Sequence, residues 1–63
     1  MSIAEQVKER RVNRKLTQRE LGLIAELATS TISSIELGRP ASVKVLSKLA
    51  KVLNCTASDL LRE

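Results

Sequence analysis

The sequence predicts an all-α protein built from five short helices. No segment alternates apolar and polar residues for long enough to form a strand. Four Ser/Thr-x-x-Glu/Asp patterns occur, and the one from Ser33 to Glu36 is interpreted as lying inside a helix. The other three, which begin at Ser2, Thr17 and Thr56, each precede a segment whose apolar residues have helical spacing. In such a capping box the hydroxyl accepts from a backbone N–H, and the acidic side chain accepts from the N–H of the cap residue. We therefore expect a helix to begin at each of these positions.

Turn-forming residues predict the other boundaries. In the segment LGRPAS (37–42), Gly38 suits the left-handed position after a helix, and Pro40 cannot continue a helix. Ser42 is a candidate cap for the helix that follows. The five expected helices span about residues 2–13, 17–25, 29–37, 43–53 and 56–61.

The spacing of apolar residues also predicts which side chains form the core. In helix 1, Ile3, Val7 and Val12 are expected to face inward, and in helix 2 Leu21 and Ile24 are. Helix 4 has the clearest apolar stripe, with the spacing i, i+3, i+4 and i+7, at Leu46, Leu49, Ala50 and Leu53.

The segment AELATSTISS (25–34) contains neither glycine nor proline, so residues 17–37 could form one long helix. In a single helix, however, the apolar residues would scatter around most of the cylinder instead of forming one stripe. Thr29, Ser30 and Thr31 favour a helix start over a helix interior, because their hydroxyls compete for backbone groups. The sequence therefore predicts a turn near residues 26–28 and a new helix from Thr29.

Composition restricts the possible functions. A single domain of 63 residues has a thin core and no room for an enclosed active site. The chain has one cysteine, Cys55, and no histidine. These counts argue against an internal disulfide, a Cys/His metal cluster and a histidine-activated nucleophile. We expect no enzymatic activity, no metal and no cofactor.

The charge distribution indicates an anionic partner. Eleven basic and seven acidic residues give a net charge of +4, and the basic residues flank the segment 20–38, which has none. Aromatic residues are absent, which counts against single-stranded nucleic acid, because its bases stack on aromatic rings. No apolar run is long enough for a membrane span or a signal peptide, so a cytoplasmic location is expected.

Three segments, in order along the chain, resemble one protein family. LTQRELG (16–22) resembles the second helix of phage repressor and Cro proteins, the XRE-type helix-turn-helix family. STISSIELGR (30–39) resembles the third helix of that family with its closing Gly-basic pair, and LSKLAKVLNCTASDLL (46–61) resembles its fourth and fifth helices. The resemblance implies a compact five-helix repressor-like domain in which helices 2 and 3 form the helix-turn-helix.

The resemblance also implies a DNA-binding site around helix 3, whose N-terminal residues would face base edges in the major groove. The implied base contacts are Thr29, Ser30, Thr31, Ser33 and Ser34. The implied phosphate contacts are Arg11, Thr17, Gln18, Arg19, Arg39 and Lys44. The alternative interpretation is that the helix 3 hydroxyls are only solvated or cap the helix, and that Arg19 is a solvated charge.

Two further roles follow from the resemblance. Arg11 and Glu36 match a pair that forms a structural salt bridge in many relatives; the alternative is two unrelated surface charges. Ala57, Leu60 and Leu61 are the candidate dimer contact, and the alternative is that the two leucines only close the core.

The turn between helices 2 and 3 departs from the family pattern. Relatives often have glycine at the positions of Lys15 and Glu26, and a capping Ser or Asp at the position of Ala28. If Glu26 has a positive φ, its side chain costs about 1 kcal/mol relative to glycine. The turn is therefore the part of the motif that local sequence supports least.

The expected function is sequence-specific binding of double-stranded DNA by a transcriptional regulator, expected to be a repressor. It would bind a palindromic operator as a weak homodimer that forms or strengthens on DNA. A bacterial or phage origin is expected, and neither a membrane nor a small-molecule ligand is expected as a partner. The alternatives are an antitoxin-type or other protein-interaction module, and an engineered scaffold without a DNA function.

Overall fold

A computed structural model describes residues 2–61, and these residues form five α-helices. The helices are α1 (Ile3–Asn13), α2 (Gln18–Ala25), α3 (Thr29–Glu36), α4 (Val43–Val52) and α5 (Ala57–Leu61). Each boundary lies within one residue of the expected one, so the all-α class and the order of elements are confirmed.

Side-chain caps begin four of the five helices. Ser42 accepts a hydrogen bond from the Val45 N–H at 3.2 Å. The three expected capping boxes are also present. In each box the hydroxyl accepts from the backbone N–H of the acidic residue, and the carboxylate accepts from the backbone N–H of the cap residue, at distances between 2.9 and 3.2 Å. The pairs are Ser2 with Glu5, Thr17 with Glu20, and Thr56 with Asp59. Each box satisfies N–H groups that the first turn of a helix leaves without a partner.

The turn between α2 and α3 is present where the scattered apolar pattern predicts it. Glu26 ends α2 in the left-handed conformation, with φ 59° and ψ 44°. The Leu27 N–H then donates to the Gly22 carbonyl at 2.8 Å, and Ala28 precedes α3 in an extended conformation without a side-chain cap. Glu26 therefore adopts the left-handed backbone conformation although it is not a glycine.

Ten buried apolar side chains form the core among the described residues, with contributions from all five helices and from Leu53, which follows α4: Val7, Leu21, Ala25, Ile32, Ile35, Leu46, Leu49, Ala50, Leu53 and Leu60. Helix α3 packs against α1 and α2, α4 packs against α2 and α5, and α5 also packs against α1. This packing holds α2 and α3 as one unit on the rest of the domain. Among residues 2–61, no helix combines the length and apolar character needed to cross a bilayer.

Two expected core residues are exposed instead. Val12 is 52% exposed because it lies five residues after Val7, about 140° around the helix, and Arg11 occupies the inward position. Ile24 is 56% exposed, while Gly22 is buried on the opposite flank of Leu21. Glycine has no apolar side chain, so a count of apolar residues overlooks its place on the buried face.

The dimer contact expected at Leu60 is wrong. Leu60 is fully buried in the core of its own chain, so its side chain is not available to a second copy. The alternative interpretation, in which this leucine closes the core, is correct. Leu61 is 49% exposed and Ala57 is half-buried, so these two stay predictions for a dimer contact.

Candidate nucleic-acid interface

An ion pair connects the helix-turn-helix to α1. Nε and Nη2 of Arg11 donate to the two carboxylate oxygens of Glu36 at 2.7 and 3.0 Å, and Nη1 donates to the Leu16 carbonyl at 2.7 Å. Nε2 of Gln18 donates to the same carboxylate at 3.3 Å. The Arg11 and Glu36 side chains are only 13% and 5% exposed. Helices α1, α2 and α3 are therefore joined at one carboxylate.

This geometry shows that the main role of Arg11 is structural. Hydrogen bonding to Glu36 raises the pKa of Arg11 above its ordinary value, and burial opposes this less strongly. The guanidinium is fully charged at every physiological pH, and it matches the carboxylate in a fork-to-fork arrangement. Among residues 2–61, three of its five N–H groups donate hydrogen bonds, and the other two could serve the phosphate contact that the family pattern implies.

The start of α2 presents backbone N–H groups at the surface. The Glu20 N–H donates to the Thr17 hydroxyl, and the first intrahelical hydrogen bond runs from the Leu21 N–H to the Thr17 carbonyl at 2.9 Å. The N–H groups of Gln18 and Arg19 precede that bond and lie at the positive end of the helix dipole, which attracts anions. The Thr17 and Arg19 side chains are exposed. The predicted phosphate contacts of α2 are thus close together at one helix end.

Helix α3 turns its hydroxyls away from the core. Ile32 and Ile35 are its buried residues, and at 100° per residue Ser30 points almost directly opposite them. The five predicted base contacts are either exposed or half-buried: Thr29, Ser30, Thr31, Ser33 and Ser34. Thr31 and Ser34 also border a shallow groove between α3 and the start of α4, which Ser42 and Val45 line on the other side.

The loop after α3 places a guanidinium beside these hydroxyls. Gly38 has φ +93° and ends the helix in a conformation that glycine adopts without strain. The Arg39 N–H donates to the Ser34 carbonyl at 3.0 Å, and its Nη1 donates to the Ser34 hydroxyl at 3.5 Å. Lys44 is exposed in the first turn of α4, which has no acidic residue. The structure therefore positions Arg39 next to α3, and it positions Lys44 on α4.

The sequence does not indicate two features of this surface. One is the hydrogen bond from Gln18 to Glu36, which orients a side chain predicted only as a phosphate contact. The other is Leu37, which is 70% exposed directly after α3. A helical wheel could have found the second feature, because Leu37 lies seven residues after Ser30 and therefore on the same side of the helix.

Comparison with known proteins agrees with this geometry. A family model described as helix-turn-helix matches residues 7–60. The N-terminal DNA-binding domain of SinR from Bacillus subtilis has 33% sequence identity and a TM-score of 0.90, over 97% of this chain and 91% of that domain. A crystal structure of SinR, the master regulator for biofilm formation, in complex with DNA has 32% identity and a TM-score of 0.88, over 95% of this chain and 98% of that chain.

A third structure, a complex of SinR with SinI, has 33% identity and a TM-score of 0.90 over 97% of this chain. The present chain spans only 61% of the matched chain in that complex. No curated protein sequence matches the chain closely enough to count as a relative. The family match covers most of the chain. This protein therefore belongs to the XRE-type helix-turn-helix family.

Proposed function

We propose that this domain is a transcriptional regulator that contacts base edges of duplex DNA through the outward face of α3. Membership of the helix-turn-helix family supports DNA binding by a transcriptional regulator. The observation that best supports base contacts by α3 is its outward face, which presents hydroxyls and has the start of α2 and Arg39 nearby. The SinR structure with DNA, which shares this fold, supports the same assignment.

The proposed base contacts lie in the first half of α3. Ser30 points most directly away from the core, and Thr29, Thr31, Ser33 and Ser34 flank it. A hydroxyl can donate or accept, and the threonine methyl can contact a thymine methyl. Such groups discriminate between bases less sharply than a bidentate arginine–guanine pair does. One domain should therefore bind weakly by itself.

Weak binding by one domain favours two copies on a palindromic site, with half-sites about 34 Å apart along the duplex. The exposed part of Leu61 and the half-buried Ala57 are the proposed contacts between copies. Repression, rather than activation, is the proposed outcome of binding.

Backbone contacts should position α3 in the groove. The start of α2, with Thr17, Gln18 and Arg19, would hold one phosphate, while Arg39 and Lys44 would hold others. Arg11 is proposed to act mainly through Glu36, with its two remaining N–H groups directed to a phosphate. These contacts provide affinity and register, and the base contacts provide specificity.

The proposal is tested by selecting sites from a random duplex pool, followed by a salt titration on the enriched site. We expect an enriched palindrome and a steep fall of affinity with salt. Ser30→Ala should weaken binding to the enriched site and leave nonspecific binding unchanged. Ser58→Ala, which removes an exposed hydroxyl from α5, is the matched control and should change neither.

The phosphate assignments are tested by the slope of log affinity against log salt. Arg39→Ala should reduce this slope by about one unit, while Lys8→Ala, at an exposed site on α1, should not change it. Salt-dependent binding without an enriched motif would contradict sequence-specific recognition. Absence of binding at low salt would contradict a DNA-binding function altogether.

A further inference from the structure

Leu37 is an exposed apolar side chain on the outward face of α3. Its exposed fraction is 70%, and it follows the last residue of the helix with φ −85° and ψ −2°, so the helical direction continues through it. Its N–H still donates to the Ser33 carbonyl at 3.0 Å. Most of this side chain therefore lies outside the core of the domain.

The direction of Leu37 is nearly that of Ser30. Seven residues correspond to about 700°, which is 20° short of two full turns, and to a rise of about 10.5 Å. In the direction of the duplex axis this rise corresponds to at most about three base-pair steps of 3.4 Å. The two side chains therefore extend from one surface of α3, and Ser34 lies between them at the spacing i+4 from Ser30.

The chemistry of the major groove offers an apolar side chain few partners. Base edges there present hydrogen-bond donors and acceptors, and the distinct apolar group is the 5-methyl of thymine. A leucine placed against a phosphate or against the polar edge of guanine would displace water from those groups without offering a hydrogen bond in its place. Against a thymine methyl, the same leucine removes apolar surface of both groups from water.

We propose that Leu37 is a specificity determinant of this surface and contacts the 5-methyl group of a thymine within about three base pairs of the position that Ser30 contacts. The inference rests on the proposed function, because it requires α3 to lie in the major groove. It adds a larger apolar side chain to a surface whose other proposed base contacts are serines and threonines. The preferred site should therefore contain a thymine whose methyl group matters.

The test compares thymine with deoxyuridine, which lacks only the 5-methyl group and keeps every hydrogen-bonding atom. Each thymine of the enriched site is replaced singly, and the dissociation constant is measured by fluorescence anisotropy. For the unmodified protein, one replacement should raise the dissociation constant about fourfold, the size expected for one methyl group taken out of water. For Leu37→Ala, the same replacement should have no effect.

Leu23→Ala is the matched control, because Leu23 is also 70% exposed but belongs to α2. It should keep the fourfold preference for thymine. Both variants should retain the melting temperature of the unmodified protein, since neither side chain is in the core.

The inference is overturned if the enriched site contains no thymine whose methyl group affects binding, or if Leu37→Ala keeps the same preference for thymine over deoxyuridine. In the second case the half-buried Thr31 methyl is the next candidate. Either result leaves specific binding intact and contradicts only the role of Leu37. Failure to enrich any site would instead contradict the proposed function, and with it this inference.

Discussion

Replacing Glu26 with glycine should stabilise the domain. Glu26 is exposed and ends α2 with φ 59° and ψ 44°, in the left-handed region. A residue with a Cβ in that region places the Cβ too close to a carbonyl oxygen, at a cost of about 1–2 kcal/mol. Glycine has no Cβ and avoids this cost. The substitution therefore removes strain at the centre of the helix-turn-helix.

The magnitude is a difference of two opposing effects. Glycine loses more backbone entropy on folding, which costs about 0.5–1 kcal/mol. The net gain in the free energy of unfolding is about 0.5–1 kcal/mol. For a domain of this size, about 1 kcal/mol changes the melting temperature by about 4–8 °C. We therefore expect an increase of about 2–8 °C.

Thermal unfolding followed by circular dichroism at 222 nm measures this change, with Glu26→Ala as the control. The alanine variant removes the same carboxylate, which borders a groove with Lys48 and Lys51, but it keeps the Cβ. It should melt at or below the temperature of the unmodified protein. A melting temperature for Glu26→Gly that is unchanged or lower, or an equal increase in the alanine variant, would refute the conformational explanation.

Three further predictions follow from individual contacts. Gly22→Ala should destabilise the domain by about 1–3 kcal/mol, because an added Cβ would lie 2.7 Å from the Leu27 carbonyl oxygen. The measurement is the midpoint of unfolding in urea, which should fall. An unchanged midpoint would mean that the turn can relax. Glu36→Lys should lower both the melting temperature and the DNA affinity, because Arg11 loses its partner at a largely buried site. The expected loss in the free energy of unfolding is about 3 kcal/mol. Lower affinity with unchanged stability would contradict the structural role of the pair. Burial raises the pKa of the Cys55 thiol, so alkylation by iodoacetamide at pH 8 should be slower in the native protein than in urea, and equal rates after correction for urea would contradict this.

The carboxylate of Glu36 connects stability to DNA binding. It accepts from Arg11 of α1 and from Gln18 of α2, and it belongs to the helix proposed to contact bases. A change at this carboxylate therefore alters the packing of α3 and the orientation of a proposed phosphate contact together. Glu36→Gln, which keeps the shape and removes the charge, should produce the same two effects in a milder form.

Local sequence was sufficient to predict the helices. Hydroxyl and acidic residues three positions apart satisfy N–H groups of the same helix turn, and a Gly-x-Pro segment ends a helix by its own geometry. Because these interactions span only a few residues, Ser2, Thr17, Ser42 and Thr56 marked four of the five helix starts correctly. The start of α3 has no such cap, and it was predicted from the scatter of apolar residues and the cluster of hydroxyls.

The site was predicted less completely, because its geometry depends on residues that are far apart in the chain. Arg11 and Glu36 are 25 positions apart, and only the resemblance to a family suggested their pairing. Nothing local indicated that Gln18 would donate to the same carboxylate. The seven-residue spacing of Ser30 and Leu37 places them on one side of the helix, but only the structure showed that Leu37 is exposed there.

The sequence alone determined the number of helices and their order, because four of the helix starts follow from hydrogen bonding within a few residues. The position of the turn followed from the scatter of apolar residues and the cluster of hydroxyls after it. The apolar stripe of α4 is buried as predicted, but only the tertiary structure decided the buried face where apolar spacing was misleading. Ile24 is exposed and Gly22 is buried because the turn packs against α2, and Leu60 is in the core because α5 closes on α1 and α4. Packing also holds Glu26 in the left-handed conformation, since the contacts of two helices outweigh the strain of one residue.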